Sequence, residues 1–186
     1  AKDLCEIQGW YYQCKGINSV PLKLLLALNN WEHWRKGELL NHLEIKNIYE
    51  YLGDNVLVGF QKGKTLHSDA KYTLKECQDQ HGLLTSNVWF ESFNGLDPMT
   101  ETYIRNMRAN GETLNKNPRI KMSTIHAAKG GEADNVLLMQ DLTGAAIETF
   151  SHDPDELHRL FYTGATRAKR ELHVLDPKNF DRAYII

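Results

Sequence analysis

Two short blocks of the sequence combine small, charged and hydroxyl residues at spacings that could serve chemistry. The first block, residues 123–134, contains a histidine, a lysine, two adjacent glycines and a glutamate. The glycines follow a predicted strand, where a backbone without side chains lets a ligand approach closely. Loops at the ends of α/β strands are common ligand sites. An ordinary surface turn has the same composition, so this block alone leaves both interpretations open.

The second block, residues 156–172, has the pattern of an amphipathic helix. Small and apolar residues recur at three- and four-residue spacings, which predicts a face that packs on a sheet. They are Leu157, Leu160, Phe161, Gly164 and Ala168. The polar and basic residues that gather on another side are Arg159, Thr163, Thr166, Arg167 and Arg170. A cationic side could bind phosphate or could be a solvated surface, and the pattern by itself permits either.

The charge distribution favours local phosphate contacts over a uniformly basic surface. The chain has 186 residues and a net charge of -2, so any nucleic-acid contact must come from a local patch. Basic residues dominate 105–129 and return in 158–170, whereas the segment between them is acidic. Alternation of this kind fits separate phosphate contacts.

Together the two blocks resemble the last two signature motifs of superfamily 1 helicases of the UvrD/Rep type. Residues 124–132 read TIHAAKGGE, and residues 159–168 read RLFYTGATRA. The order, the separation and the strand predicted after each block match the family pattern. The resemblance covers about residues 118–176. Gly131, His158 and Thr163 depart from the family's usual residues, but none removes a charge that the chemistry needs.

The resemblance implies a role for individual residues. Arg167 matches the arginine finger, which neutralises charge developing on the γ-phosphate of ATP during phosphoryl transfer. Glu132 matches the residue that accepts hydrogen bonds from the ribose hydroxyls, and Gly130 belongs to the same nucleotide-binding loop. Thr124 and His126 match positions that contact single-stranded DNA or couple it to the nucleotide site. Lys129 is a weaker DNA-binding candidate, for phosphate contact or for bracing the loop. Arg159 is a weaker candidate for phosphate contact or for bracing the loop.

The fold class implied is α/β, a partial RecA-like lobe with a parallel sheet, interrupted by a mostly helical insertion. Residues 1–16 would be the remnant of the start of the second RecA-like lobe. Residues 17–117 would form the helical insertion, and residues 118–186 would complete the lobe with the last two motifs. Strand, loop, strand, helix and strand in the second half predict this α/β organisation.

Apolar periodicity and turn residues give the individual elements. Helices are predicted at about 21–37, 38–52, 98–110 and 153–169. Strands are predicted at 55–60, 119–125, 135–140 and 172–175, and the apolar run within 135–140 is suited to a buried strand. In the third helix, Met99, Tyr103, Ile104 and Met107 are expected to line one face. Asp153, Pro154 and Glu156 provide a strong start for the last helix.

A segment that could be mistaken for an ATP-binding P-loop lies at residues 59–65. It ends in Gly-Lys-Thr, but it has one residue fewer between its glycines than a P-loop needs to wrap phosphates. We interpret it as a basic surface turn. Without a P-loop or an Asp-Glu box, the chain is expected to be part of a longer enzyme and to be inactive alone.

The resemblance also implies partners. ATP and Mg2+ would act in the complete enzyme, with the Mg2+ ligands outside this chain. The other partners would be single-stranded DNA or a single/double-strand junction, and the N-terminal RecA-like lobe of the same parent chain. Scattered Cys5, Cys14 and Cys77 predict neither disulfides nor a zinc site, and a cytoplasmic location with no membrane contact fits best.

Two other functions remain open at this point. The chain could be a non-catalytic DNA-binding or protein-interaction module that keeps the lobe as a scaffold. A nuclease domain could also follow in the parent, although no residue pattern here predicts a nuclease site. The family suggests 3′→5′ unwinding, but no residue of this chain sets the polarity, the pathway or the oligomeric state.

Overall fold

The computed structural model describes residues 1–58, 66–113 and 117–185, and the chain forms two compact units. Unit 1 is Ala1–Lys121 and unit 2 is Met122–Ile186. The predicted segment 1–16 thus lies in the same unit as the helices that follow it. Assignment of residues 1–16, 17–117 and 118–186 to lobe and insertion stays a prediction, because compactness does not identify a lobe.

Unit 1 is mostly helical, with several very short strands. Its elements are α1 (Lys2–Gln8), β1 (Tyr12–Cys14), β2 (Ile17–Asn18), α2 (Leu22–Arg35), β3 (Leu40–Asn41), α3 (His42–Tyr49), β4 (Lys71–Tyr72), α4 (Leu74–Gln80), α5 (Trp89–Ser92), α6 (Pro98–Ala109) and β5 (Ile120–Met122). One sheet has the order β2-β1-β5, and β3 pairs with β4 in an antiparallel ladder. Strands from the predicted segments 1–16 and 118–186 are therefore neighbours.

Polar side chains cap α3, α4 and α6 of unit 1, and α6 begins where the sequence predicted. Asp97 accepts hydrogen bonds from the backbone N–H groups of Met99 and Thr100, and Pro98 occupies the first turn of α6. These contacts satisfy N–H groups that have no partner inside the helix. The second predicted helix is shorter than expected, because Asn41 forms a capping box with Glu44 and starts α3 at His42.

Aromatic rings form the centre of unit 1. The rings of Trp31 and Trp34 lie 6.0 Å apart, and those of Trp31 and Phe93 lie 5.8 Å apart, both in edge-to-face geometry. All three side chains are buried. The two indole N–H groups donate to the carbonyl oxygens of Asn87 and Tyr72. Buried donors with partners avoid a desolvation cost, so the rings contribute their full apolar area to stability.

One prediction in unit 1 was wrong. The predicted strand at 55–60 begins instead as a 3-10 helix, Asp54–Val56, followed by a single bridge between Leu57 and Leu83. Residues 59–60 and the whole Gly-Lys-Thr segment at 59–65 lie outside the described residues. Met99 is 79% exposed, although the other three residues of its predicted face are buried. Helical periodicity gives the face of a residue, but the neighbouring elements decide how much of that face is covered.

Unit 2 is an α/β arrangement built on two parallel strands. Its elements are β6 (Ala133–Met139), α7 (Gly144–His152), α8 (Pro154–Ala165) and β7 (Ala168–Leu175), with 3-10 turns at His126–Ala128 and Phe180–Arg182. Strands β6 and β7 pair in parallel, and the two helices form the connection that parallel strands require. This mixed α/β fold with parallel strands confirms the predicted class and is consistent with a partial RecA-like lobe.

A small core joins α8 to the sheet of unit 2. Leu138 of β6 packs with Leu157 and Phe161 of α8, and all three are buried. Asp153 accepts a hydrogen bond of 3.1 Å from the Glu156 N–H, which confirms the predicted start of the helix. The prediction of a buried strand was wrong for one face of β6, because Leu137 is 68% and Met139 is 58% exposed. Only the face of β6 toward α8 is covered.

The end of α8 also differs from the prediction. The helix ends at Ala165 rather than near residue 169, and β7 begins at Ala168, four residues before the predicted strand. Arg167 therefore lies in a tight turn between helix and strand, and Arg170 belongs to the strand instead of the helical polar side. Pairing of β7 with β6 ends the helix earlier than side-chain periodicity indicates. Likewise, β5 stops at Met122, before the predicted end of its strand at residue 125.

Candidate nucleotide and DNA site

Thr124 shapes the loop between β5 and β6. Its Oγ1 accepts a 3.2 Å hydrogen bond from the Ala127 N–H, and its carbonyl oxygen accepts one of 3.1 Å from the Ala128 N–H. These bonds close the 3-10 turn that starts at His126. Thr124, His126 and Lys129 are all exposed, so each side chain is accessible to a ligand from solvent.

Glycine lets the loop reverse before β6. Gly130 has φ of 83°, a left-handed conformation that residues with a side chain rarely adopt. A side chain at this position would meet no other atom within 4 Å, so the glycine is required by conformation rather than by crowding. The Gly131 N–H donates to the Ala128 carbonyl oxygen at 2.9 Å and completes the turn. The loop thus enters β6 with Glu132 as the residue just before the strand.

The register of the two strands brings Glu132 and Arg167 together. Ala133 pairs with Ala168, and the Ala133 N–H donates to the Arg167 carbonyl oxygen at 3.0 Å. The two candidate nucleotide ligands therefore occupy equivalent positions, each immediately before its strand. They lie at the amino ends of β6 and β7, whereas ligands in open α/β sheets commonly lie at the carboxyl ends. The same loop also follows the carboxyl end of β5.

Three hydrogen bonds fix the half-buried Arg167 side chain. Its Nε donates to the Thr163 carbonyl oxygen at 3.0 Å, and its Nη1 donates to the Gly131 carbonyl oxygen at 3.4 Å. Its Nη2 donates to Thr166 Oγ1 at 3.1 Å. A guanidinium has more N–H donors than these three bonds use. Arg167 is thus held in place by both blocks while retaining donors for an anion.

An ion pair accompanies Glu132. Its Oε2 lies 3.0 Å from the Lys169 Nζ, and both side chains are 55% exposed. Lys169 therefore contacts the carboxylate directly, while the Arg167 guanidinium bonds the backbone carbonyl oxygen of the adjacent Gly131. A cluster with a net positive charge and an available carboxylate oxygen can bind a ligand that carries both phosphate and hydroxyl groups.

Close packing couples the first block to the second. A Cβ atom built on Gly164 would lie 3.1 Å from Leu138 Cδ1 and 3.3 Å from two atoms of Ile125. Gly164 therefore lets α8 approach both β6 and the loop, as its place on the apolar face predicted. The Ile125 side chain packs against α8 at Gly164 and so anchors the loop to the helix. Sequence reasoning missed this role for Ile125, although an apolar residue between polar Thr124 and His126 was the available signal.

The residues that depart from the family pattern make specific contacts. Thr163 Oγ1 donates to the Arg159 carbonyl oxygen at 2.8 Å, while the carbonyl oxygens of Thr163 and Gly131 accept from Arg167. The His158 imidazole is hydrogen-bonded to the hydroxyl of Tyr184, whose ring stacks on Phe161. These three positions thus support α8 and the Arg167 side chain.

Arg159 pairs with the helix cap. Its Nη2 lies 3.6 Å from Asp153 Oδ2, and the two side chains are largely exposed. The contact braces the start of α8. An exposed pair of this length is weak, so the guanidinium can exchange Asp153 for another anion.

Much of the basic segment at 105–129 is neutralised within unit 1. Arg105 lies 2.8 Å from Glu101, Arg108 lies 3.8 Å from Glu32, and Arg119 pairs with Glu112. The predicted alternation of charge in the sequence is therefore partly cancelled by local ion pairs. For phosphate binding, the positive charges near Glu132 in unit 2 are better placed.

Neither a metal cluster nor a membrane span is found in the described part of the chain. Residues 1–58, 66–113 and 117–185 contain no group of three or more His, Cys, Asp or Glu side chains that could hold a metal. Over the same ranges, no helix is both long and apolar enough to cross a membrane. Cys5, Cys14 and Cys77 are free thiols.

Comparison with protein families identifies the region that contains both blocks. Residues 91–177 match the UvrD-like helicase C-terminal domain. No curated protein and no solved structure matches the chain. The matched segment runs from α5 to the end of β7 and includes the Thr124–Glu132 loop, α8 and Arg167. This match supports a UvrD-type helicase C-terminal region at residues 91–177.

Proposed function

We propose that this chain is the C-terminal part of an ATP-dependent DNA helicase that couples ATP hydrolysis to movement along single-stranded DNA. The observation that carries the proposal is the backbone register at Ala133 and Ala168. It sets Glu132 and Arg167 side by side at one end of the parallel strand pair. A carboxylate for ribose hydroxyls and a guanidinium for phosphate are the two groups that a shared nucleotide site needs.

Arg167 acts as the arginine finger in this proposal. Its planar group suits phosphate oxygens better than a lysine would. The bonds to Thr163, Gly131 and Thr166 hold the side chain before ATP arrives. Because the group is already positioned, little reorganisation is needed as negative charge develops on the γ-phosphate. The proposed contribution of Arg167 is therefore to the transition state more than to ATP binding.

Glu132 and Gly130 form the ribose side of the proposed site. The Glu132 carboxylate accepts hydrogen bonds from ribose hydroxyls, and the left-handed Gly130 keeps the approach to the loop free of a side chain. The P-loop and the carboxylates that bind Mg2+ are supplied by the N-terminal RecA-like lobe of the parent chain. Bound Mg2+ would neutralise charge on the phosphates.

The exposed side of the loop between β5 and β6 serves single-stranded DNA or a single/double-strand junction. Thr124 and Lys129 would contact phosphate, and His126 would contact DNA or transmit its presence to Glu132 along the loop. The turn bonds of Thr124 and the packing of Ile125 on Gly164 connect this loop to α8. Unwinding is proposed to run 3′→5′, as the family resemblance implies.

Single-stranded-DNA-stimulated ATPase activity of the parent tests the proposal. Arg167→Ala should lower kcat by about a thousandfold or more and leave the Kd for ATP nearly unchanged. Arg170→Ala is the matched control, because it removes the same charge from an exposed position in β7. A parent without ATPase activity, or an Arg167→Ala variant with nearly full activity, would support the non-catalytic scaffold instead.

The isolated chain provides a second test. Because it contains no correctly spaced P-loop, we expect no ATP turnover above background with Mg2+ and single-stranded DNA present. Turnover that is lost in Arg167→Ala of the isolated chain would contradict the division of the site between two lobes.

A further inference from the structure

An irregularity in the parallel ladder lies beside the candidate site. Ala133 pairs with Ala168, and the next pair is Asn135 with Glu171. Between these pairs β6 advances by two residues and β7 by three, so β7 contains one extra residue. Bulges are rare in parallel ladders, and near binding sites they redirect side chains. The extra residue falls in the segment Lys169–Arg170.

The bulge coincides with the contact between Lys169 and Glu132. The Lys169 Nζ lies 3.0 Å from Glu132 Oε2. A carboxylate can accept several hydrogen bonds, and a lysine contact at one oxygen leaves the other available. Among the described residues, Lys169 contacts the Glu132 carboxylate through Oε2. Lys169 thus restrains the carboxylate without occupying its full capacity.

We propose that Lys169 is a positioning residue that sets the affinity of Glu132 for ligand hydroxyls, an inference that rests on the proposed nucleotide site. The ammonium holds the Glu132 carboxylate in one orientation, with Oε1 left to accept from a ribose. The bulge in β7 supplies the geometry, since it places the Lys169 side chain against Glu132, the residue just before β6. Recognition of the ribose therefore depends on Lys169, although Lys169 acts through Glu132.

The test measures the Kd of the parent for ATP and for 2′,3′-dideoxy-ATP by equilibrium titration. Lys169→Met should weaken ATP binding by about two- to fivefold, the range expected from an exposed ion pair. The Kd for dideoxy-ATP should stay unchanged, because that nucleotide offers Glu132 no hydroxyl. Lys169→Arg should keep most of the preference for ATP over dideoxy-ATP. Arg170→Met removes the neighbouring positive charge and should keep this preference fully.

Glu132→Gln separates the failure of this inference from the failure of the proposed function. If Glu132→Gln loses the preference and adding Lys169→Met causes no further loss, Lys169 acts through Glu132 as proposed. If Glu132→Gln loses the preference but Lys169→Met keeps it or binds ATP more tightly, the positioning role is wrong and Glu132 remains a ribose ligand. If Glu132→Gln keeps the preference, both the ribose role of Glu132 and the inference fail. Circular dichroism should show an unchanged fold in every variant, since both side chains are half exposed.

Discussion

The two compact units differ in where their apolar side chains lie. In unit 1, the rings of Trp31, Trp34 and Phe93 pack against one another and are buried. In the described part of unit 2, the buried apolar cluster consists of Leu138, Leu157 and Phe161, and the face of β6 that carries Leu137 and Met139 is exposed. Unit 1 therefore has the larger core, whereas unit 2 has the candidate site.

This difference separates two kinds of mutational effect. The site in unit 2 is held by backbone register, turn bonds and one close contact at Gly164, so small changes in packing should reach Glu132 and Arg167. The core of unit 1 has no residue assigned to the site. Substitutions there should lower stability without altering the geometry of the site, and three substitutions test this contrast.

The largest expected effect is the loss of a central ring in unit 1. Trp31→Ala should lower the free energy of unfolding of unit 1 by about 3–5 kcal/mol, because it removes buried apolar area and leaves a cavity. The loss in the free energy of unfolding is measured by denaturant titration, with hydrogen exchange of the unit 1 amides as the probe. Trp10→Ala is the control, since this tryptophan is 36% exposed and should cost less. Equal losses for the two variants would contradict the packing assigned to Trp31.

A smaller loss of stability, with a direct effect on the site, is expected at Gly164. Gly164→Val should cost about 1–3 kcal/mol by overpacking, because the new side chain would press on Leu138 and Ile125. Hydrogen exchange should become faster at the N–H groups of Gly131 and Ala133, whose bonds define the loop and the register.

Thr163→Val is the matched control for Gly164→Val. It introduces the same residue one position earlier in α8, on the polar side, and should leave both amides protected. Normal protection in Gly164→Val would mean that the close contact does not hold the loop.

The smallest expected effect is a change in the pH dependence of stability that arises from Cys77 in unit 1. Burial raises the pKa of its thiol to about 11. The folded state therefore favours the protonated form, and this contribution to stability is complete below pH about 9 and is lost as the pH rises toward 11. The free energy of unfolding should fall across this range, and Cys77→Ala should make the fall shallower.

Cys14→Ala, at a partly exposed thiol, is the control for the alkaline range. Each variant is compared with its own stability at neutral pH, because a truncated core residue lowers stability at every pH. An unchanged alkaline slope in Cys77→Ala would assign the fall to other buried groups, such as Tyr49, whose pKa is also raised by burial.

Local signals in the sequence predicted much of the fold. Asp97 and Asp153 each cap a helix that has proline in its first turn, and these starts are correct because capping depends on adjacent residues alone. The apolar run at 135–140 is a strand, as predicted. The strand predicted at 55–60 failed because a short apolar run does not distinguish a strand from a turn without its partners.

The candidate site was predicted in composition but not in geometry. The types and spacing of residues 124–132 and 159–168 were sufficient to predict the family, and the match over 91–177 supports the same region. The contact between Lys169 and Glu132 was not foreseen, because Lys169 was placed at the end of a helix. The role of Lys169 and the roles of Arg167, Thr124 and His126 remain predictions.

By itself, the sequence determined what depends on neighbours along the chain: the capped starts of α6 and α8 and the order of the two blocks. Tertiary structure alone decided what depends on partners distant in sequence. Pairing of Ala133 with Ala168 ended α8 at Ala165, placed Glu132 beside Arg167 and introduced the bulge at Lys169–Arg170. Strand register is fixed by hydrogen bonds between segments and by the fit of α8 on β6, and a one-residue shift would separate these groups.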